Sequence, residues 1–515
     1  VSSPTDFYSI LWRDADEERA HGAERQPDCF PDLRLDQVVR SVLRDPADAE
    51  LEACFWQPLQ RVDAVAWRQA TARELECEPL RSAVDAFCQR IRDMRDMQER
   101  ARECDVAPAR ARWLLDAALA VAAACAALHD DLQRSAPTAP GLCALQAHLH
   151  RLVSSEGYRA WTQSARQIAA DLEALRYTVQ VDDAALTVRQ YRGEPDYAAE
   201  IARVFARFSQ IETHAEAPRA AGHKRIDHVQ AAILERVALL FPDVFARLAD
   251  FAAQHADMLD PSLRRFDREV RFYRAYQCLI APLRDAGLAF DYPRLDAQDQ
   301  RERASATFDL ALACQRVASG ERMVSNDLRL GTDERFIVIT GPNNGGKTTF
   351  ARTFGQLHYL ARLGLPVPGQ DVRLFLCDAI HTHFEREERA DAAHGKLEDD
   401  LLRVRAILQQ ATPRSVVILN EMFSSTTADD ALGLARRIMA QLAARKLIAV
   451  YVTFLTELAH FDAHTVSMVS TVADDDPTVR TFKLVRRAAD GRSYAMTLAA
   501  KYGVTRARLL ERIAP

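Results

Sequence analysis

Residues 336–350 read FIVITGPNNGGKTTF. Five strand-forming residues run directly into a tract of small residues, and one lysine and two threonines close it. The pattern G-x-x-x-x-G-K-[ST] is met by Gly341, Gly346, Lys347 and Thr348. Glycines leave room for successive backbone N–H groups to turn inward on phosphate oxygens. The loop then feeds a helix N-terminus, where the backbone dipole favours an anion. Lys347 is expected to reach the β- and γ-phosphates, and Thr348 to offer its hydroxyl to magnesium. Pro342, Asn343, Asn344 and Gly345 complete the cradle, and Thr349 follows as its last contact.

Outward from this loop the apolar pattern alternates. FIVIT (336–340), SVVIL (415–419) and LIAVYVT (447–453) are unbroken apolar runs, as in strands buried on both faces of a parallel sheet. Between them Phe350, Phe354, Leu357 and Ala361 share one helical face, and Leu432, Ala435, Met439 and Leu442 share another. Residues 321–515 therefore read as an α/β nucleotide-binding domain. VRTFKLV and RSYAMTL flank Asp490-Gly491 as an expected hairpin.

Residues 1–320 read as mostly helical, with apolar residues at three- and four-residue steps over 81–103 and 228–257. RYTVQVDDAALTVRQY (176–191) reads as a strand pair, THAEAPRAAGHKR (213–225) as a loop, and PRLDAQDQRERAS (293–305) as a polar connector.

The chain has 515 residues, 48% hydrophobic and 27% charged, with a formal charge of −6. That balance argues against a purely electrostatic nucleic-acid binder and leaves room for a local basic groove. No secretory signal is expected, because VSSPTDFYSILW lacks a basic start and an apolar centre. WLLDAALAVAAACAAL (113–128) is broken by Asp116 and is expected as a buried alanine-rich helix, not a membrane span. The ten cysteines form no C-x-x-C pair, which suits reduced thiols in a cytoplasm. No G-x-S-x-G elbow or zinc-ligand spacing occurs. His381 and His383 lack a third ligand and are expected on a polar surface. Arg219, His223, Lys224 and Arg225 form a small cationic loop, a candidate for phosphate contact.

A second acidic site is expected at a nearby strand end, and SVVILNE (415–421) supplies it. Glu421 is placed to polarise an attacking water. Asn420 stands where an aspartate usually holds the magnesium water shell, and its amide oxygen still accepts hydrogen bonds from ligated water. A helix N-terminal charge is the plainer alternative for Glu421.

These segments together resemble the MutS family of DNA mismatch-repair ATPases. TGPNNGGKTTF looks like that family's T-G-P-N-M-G-G-K-S-T-x, VSNDLRL (324–330) its V-P-N-D segment, and VPG (367–369) its V-P-A turn. ILNEMFSSTTADDA (418–431) resembles its acidic strand and serine/threonine-rich loop, and SYAMTLAAKYGV (493–504) its closing segment. Pro58, Leu59 and Arg68 in FWQPLQRVDAVAWRQATAREL (55–75) carry a weaker match to its helical core.

The resemblance implies an α plus α/β protein. A helical lever or core region over 1–320, with a clamp-like insertion around 175–260, would precede a C-terminal P-loop ATPase domain of the ABC type with a mainly parallel sheet. It implies ATP and Mg2+ as cofactors, Asn326 beside the nucleotide, a homodimer through the ATPase domain, and DNA, mismatched or structured, as partner.

The departures are specific. No phenylalanine is followed two residues later by glutamate, so the family's lesion-reading wedge has no counterpart; DFYSILW (6–12) has serine at the acidic place. Phe454 replaces a histidine expected at the γ-phosphate, leaving Thr453 or Thr456 to sense it. The segment that crosses the dimer becomes GKLEDDL (395–401), where Lys396 is the candidate phosphate contact. Leu397, Leu401, Val404 and Leu408 form a stripe there, with Glu398, Asp399 and Asp400 in the first turn. Thr426 and Thr427 are candidate contacts to the dimer partner. Two functions remain: an ATPase that clamps DNA, or a nucleotide-gated dimeric interaction protein with little hydrolysis.

Overall fold

The computed structural model describes residues 7–20, 25–44, 46–182, 185–194, 228–255, 258–385, 395–473, 476, 479–489, 502 and 504–506. The cationic loop residues Arg219, His223, Lys224 and Arg225, the turn at 490–491 and nearly all of 493–504 lie outside them.

The chain divides into two compact units. One comprises residues 1–7, 78–137 and 143–267; the other comprises 8–77, 138–142 and 268–515. Residues 8–77 and 268–320 thus share one compact unit with residues 321–515.

After a short helix at Ala15–Ala20, the chain forms α1 (Phe30–Leu33), α2 (Leu35–Val42) and α3 (Val62–Glu74). The helices α4 (Glu78–Glu103), α5 (Ala107–Ser135), α6 (Pro140–Ser154) and α7 (Glu156–Ala174) follow, then β1 (Tyr177–Asp182) and β2 (Ala185–Gln190). α8 (His228–Leu240), α9 (Pro242–Gln254) and α10 (Pro261–Asp285) complete the helical stretch.

In the first unit α4 and α5 pack along one another. The alanine-rich α5 is the one helix among the described residues long and apolar enough to cross a membrane. Its apolar residues instead build a core: Ala111, Leu115 and Ala118 meet Ala165 and Ile168 of α7 and Leu248 and Phe251 of α9. Ser155 caps α7 by accepting the Tyr158 N–H. The expected strand pair is present, β1 and β2 running antiparallel with Tyr177 opposite Gln190.

The second unit carries the sheets. β3 (Phe290–Asp291), β4 (Arg294–Asp296) and β5 (Glu302–Thr307) lead to α11 (Leu310–Ala318) and β6 (Asn326–Leu330). β7 (Phe336–Thr340), α12 (Lys347–Arg362), β8 (Val367–Pro368), β9 (Gln370–Phe375) and β10 (Ile380–His383) follow. The chain continues through α13 (Lys396–Gln410), β11 (Val416–Asn420), α14 (Ala428–Ala444), β12 (Ile448–Val452), β13 (Thr465–Val472) and β14 (Arg480–Arg486).

One sheet has the order β10-β11-β12-β7-β13-β14, parallel except for β14. A second has the order β4-β9-β5-β6. The three apolar runs are the central strands β7, β11 and β12 of the six-stranded sheet, buried at every position. Residues 293–305, expected as a connector, instead supply β4 and most of β5. In β5 the small Ala304 and the polar Glu302 and Thr307 are buried, Glu302 beside His358, so polarity hid a strand. β14 pairs with β13, so the described hairpin precedes the turn expected at 490–491.

The phosphate-loop helix α12 is buried on nearly all sides. Residues 29–68 cover it turn by turn. Arg352 donates to the Asp32 carbonyl at 3.1 Å, Gln356 to Leu33 at 2.8 Å, Tyr359 to Phe55 at 2.8 Å and Arg362 to Leu59 at 3.1 Å. Arg68 is buried at the far end of α12, stacked over Trp12 at 4.3 Å and donating to the Leu11 carbonyl. Ser9, at the place where a wedge motif would carry its acid, donates to Glu269 at 2.8 Å in the core. Phe7, Ile10, Leu11 and Trp12 beside it are buried as well.

Candidate functional site

β7, β11 and β12 are parallel and end on the same side of the sheet, the side where doubly wound sheets place ligands. The loop 341–346 leaves β7 there and opens α12. Gly341 and Gly346 take left-handed angles, φ 119° and 92°. Gly345 is required by contact: a Cβ on it would collide with the Ser470 hydroxyl of β13 and stand 2.9 Å from the Pro342 carbonyl. A Cβ on Gly341 would stand 2.9 Å from the Ser470 carbonyl. The double glycine therefore lets the loop lie flat against β13, with Ser470 donating to the Gly345 carbonyl at 2.6 Å.

Lys347, buried at the mouth of α12, donates to the Gly341 carbonyl at 3.1 Å and to Asn343 Oδ1 at 3.1 Å. Its Nζ lies 3.4 Å from Glu421 Oε1. Thr348 Oγ1 donates to Asn420 Oδ1 at 3.0 Å. Residues 72 positions apart in sequence thus meet where β11 ends and α12 begins. Glu421 follows β11 on a turn and does not open a helix; its N–H donates to the Val452 carbonyl at 2.9 Å. Glu421 and Phe423 both have positive φ, 50° and 61°, a costly backbone state for such residues.

A cleft of about 530 Å³ joins Asn343 to Thr349 with Glu421, Asn326, Phe482, Arg316, Met323, Arg34, Arg352 and Asp309. Asn326 fixes one wall: it donates to the Phe482 carbonyl at 3.1 Å and accepts the Leu484 N–H at 2.8 Å. Phe482 and Arg316, which the sequence did not single out, face each other at 5.9 Å. A polarised aromatic–arginine pair at the end of a phosphate cradle suits a purine ring. Burial and the like charge of Arg34 lower Arg352 from its ordinary value. Burial pushes the Asp309 carboxyl up, against the Gln356 amide that hydrogen-bonds it.

The donor set fits a magnesium triphosphate. Backbone N–H groups of the loop, Lys347 and the arginines match phosphate oxygens. Thr348 and Asn420 present hard oxygens for magnesium and its water. No group of three or more His, Cys, Asp or Glu side chains placed to hold a metal occurs among the described residues.

Other expected residues stand differently. His383 is fully buried, not on a polar surface, with Nε2 3.0 Å from Asp400 Oδ1. Of the expected stripe, Val404 is buried and Leu397 and Leu408 pack against the same core. Asp400, Val404 and Ile407 face inward, and Leu401 is 39% exposed. Lys396 is paired with Glu385. Phe454 is 50% exposed past β12, while Thr453 is buried and donates its N–H to the Ile339 carbonyl at 3.0 Å. Thr427 caps α14 through the Asp430 N–H.

Residues 337–512 match the family model of MutS domain V. The DNA mismatch repair protein MutS of Chlorobaculum parvum is 29% identical over 192 residues, 36% of this chain and 22% of that protein. The MutS of Thermotoga maritima is 29% identical over 188 residues, 36% of this chain and 24% of that protein. The MutS of Zymomonas mobilis is 35% identical over 146 residues, 28% and 17% of the two chains. The matched part spans about a fifth of the length of these curated relatives.

Proposed function

We propose, since this chain belongs to the MutS family through the domain V at residues 337–512, that it is a magnesium-dependent ATPase. Its cycle closes and opens a homodimer on mismatched, damaged or branched DNA. The observation that carries this reading is the double meeting at the loop: Thr348 with Asn420 at 3.0 Å and Lys347 with Glu421 at 3.4 Å.

The loop amides and Lys347 would hold the β- and γ-phosphates, and Thr348 and Asn420 would hold magnesium with its water. Magnesium ATP supplies the phosphorus to be attacked and the neutralisation of its oxygens. Glu421 orients a water and takes its proton. Phe482 and Arg316 flank the base, and Asn326 sets their distance. The two sheets around this loop support an ABC-type ATPase arrangement. Ten free cysteines support work in a reducing cytoplasm.

A second reading is favoured by Asn420 and Phe454. A neutral amide beside the metal and a half-exposed phenylalanine past β12 suit a protein that binds ATP, dimerises and hydrolyses little. The test is single-turnover and steady-state hydrolysis with and without mismatched, branched and single-stranded nucleic acids. Wild type is compared with Lys347→Ala and Glu421→Gln. Turnover that needs Glu421 and rises with DNA supports the first reading. Tight ATP binding with turnover indifferent to Glu421 supports the second.

A further inference from the structure

The catalytic turn after β11 is held from outside the nucleotide cleft. Phe423, two residues past Glu421, donates its N–H to Asp400 Oδ2 of α13 at 3.2 Å. The other oxygen of that carboxylate lies 3.0 Å from His383 Nε2 at the end of β10. Both side chains are nearly inaccessible, 8% and 1% exposed. One residue further, Ser424 donates to Glu385 Oε1 at 3.1 Å, and Glu385 is paired with Lys396, the first residue of α13. Two carboxylates tied to α13 thus grip consecutive residues of the turn.

The turn needs such a grip. Glu421 and Phe423 occupy left-handed backbone states that a free segment would leave. A charged acceptor bonded to the Phe423 N–H holds that state more firmly than a neutral one. Burying the carboxylate is costly unless both oxygens have partners; one accepts the Phe423 N–H and the other lies within ion-pair distance of His383. Burial alone would raise the Asp400 carboxyl, but His383, the Phe423 N–H and Arg403 bring it below its ordinary value.

We propose that Asp400, oriented by His383, is a positioning residue that sets where Glu421 points and so couples the placement of α13 to hydrolysis. The inference rests on the ATPase reading. Asp400 touches neither the phosphate loop nor Lys347, so removing it leaves nucleotide binding alone. Displacing a catalytic carboxylate by about 1 Å costs up to about a hundredfold in rate.

The experiment pairs Asp400→Ala with Asp400→Asn, which keeps an oxygen for the Phe423 N–H. ATP affinity, single-turnover hydrolysis and hydrogen exchange of the Phe423 amide are measured on each. Expected are ATP affinity within about twofold of wild type, and hydrolysis at least about tenfold slower in the alanine variant. The Phe423 amide should exchange faster in that variant, and the asparagine variant should recover most of both losses. A folded alanine variant with wild-type turnover would overturn the proposal, as would equal loss of ATP affinity and turnover in both variants. Wild type without turnover would defeat the ATPase reading and this coupling with it. In that case the amide exchange still reports whether Asp400 holds the turn.

Discussion

Ser470 Oγ, on β13, donates to the Gly345 carbonyl at 2.6 Å and occupies the space a side chain at 345 would need. Gly345→Ala should therefore cost about 1–3 kcal/mol of stability and weaken ATP binding, because the loop lifts from β13. Adding Ser470→Ala should recover only part, since the Pro342 carbonyl remains 2.9 Å from the new Cβ. A double-mutant cycle by urea unfolding and nucleotide titration checks this. Full additivity would show that the hydroxyl is not the obstacle.

Asn326 ties Phe482 to the cleft through two hydrogen bonds. Asn326→Ala should weaken ATP binding about fivefold, the equivalent of about 1 kcal/mol. Asn326→Asp keeps the acceptor for Leu484 and loses the donor to Phe482, and should fall between. Competition with a fluorescent ATP analogue reads both, and affinity equal to wild type in the alanine variant contradicts the role.

Asn420 places a neutral oxygen where magnesium's water shell is expected. Asn420→Asp should lower the magnesium concentration for half-maximal turnover by about tenfold, as outer-shell changes commonly do. A magnesium titration at saturating ATP decides it; an unchanged midpoint removes Asn420 from the metal's surroundings.

Gln356 on α12 is fully buried and accepts the Leu310 N–H at 2.8 Å while donating to Asp309 at 2.9 Å and to the Leu33 carbonyl at 2.8 Å. Gln356→Ala leaves these partners unmatched and should cost about 3 kcal/mol. Chemical denaturation measures it. A loss under 1 kcal/mol would mean that the covering of α12 by residues 29–68 contributes little.

His358 Nε2 lies 3.1 Å from Glu302 Oε1, both fully buried. Burial lowers the imidazole, but the Glu302 charge and Cys377 outweigh it and push it up to about 10, from 6.5. A raised folded value makes the contribution complete below pH 6.5 and lost as pH climbs through about 10. Unfolding free energy should decline across that window. Glu302→Gln with His358→Gln, which removes both charges together, should flatten the decline relative to wild type.

The parts legible in sequence were those written in consecutive residues. The glycine loop, the three buried strands and the helices between them follow from local periodicity, and the strand pair at 177–190 from β-branched alternation. Thr348 and Asn420 were legible because each sits at a fixed offset from its own strand end. Asp400 was not: among three acids in a first turn, only the position of β10 selects the one facing His383. The covering of α12 was hidden too. Hydrogen bonds from its side chains to the carbonyls of Asp32, Leu33 and Phe55 depend on partners whose side chains carry no signal. Phe482 and Arg316 escaped because neither falls in a motif.

That covering bears on how the polypeptide reaches its native state. Arg352 and Asp32 are separated by 320 positions, and the bonds to Leu33, Phe55 and Leu59 span similar distances. During synthesis the early segment leaves the ribosome long before its helix exists, and must wait with its apolar side uncovered. Folding of the unit that carries the glycine loop is accordingly a late, high-contact-order event, exposed to aggregation and to help from chaperones.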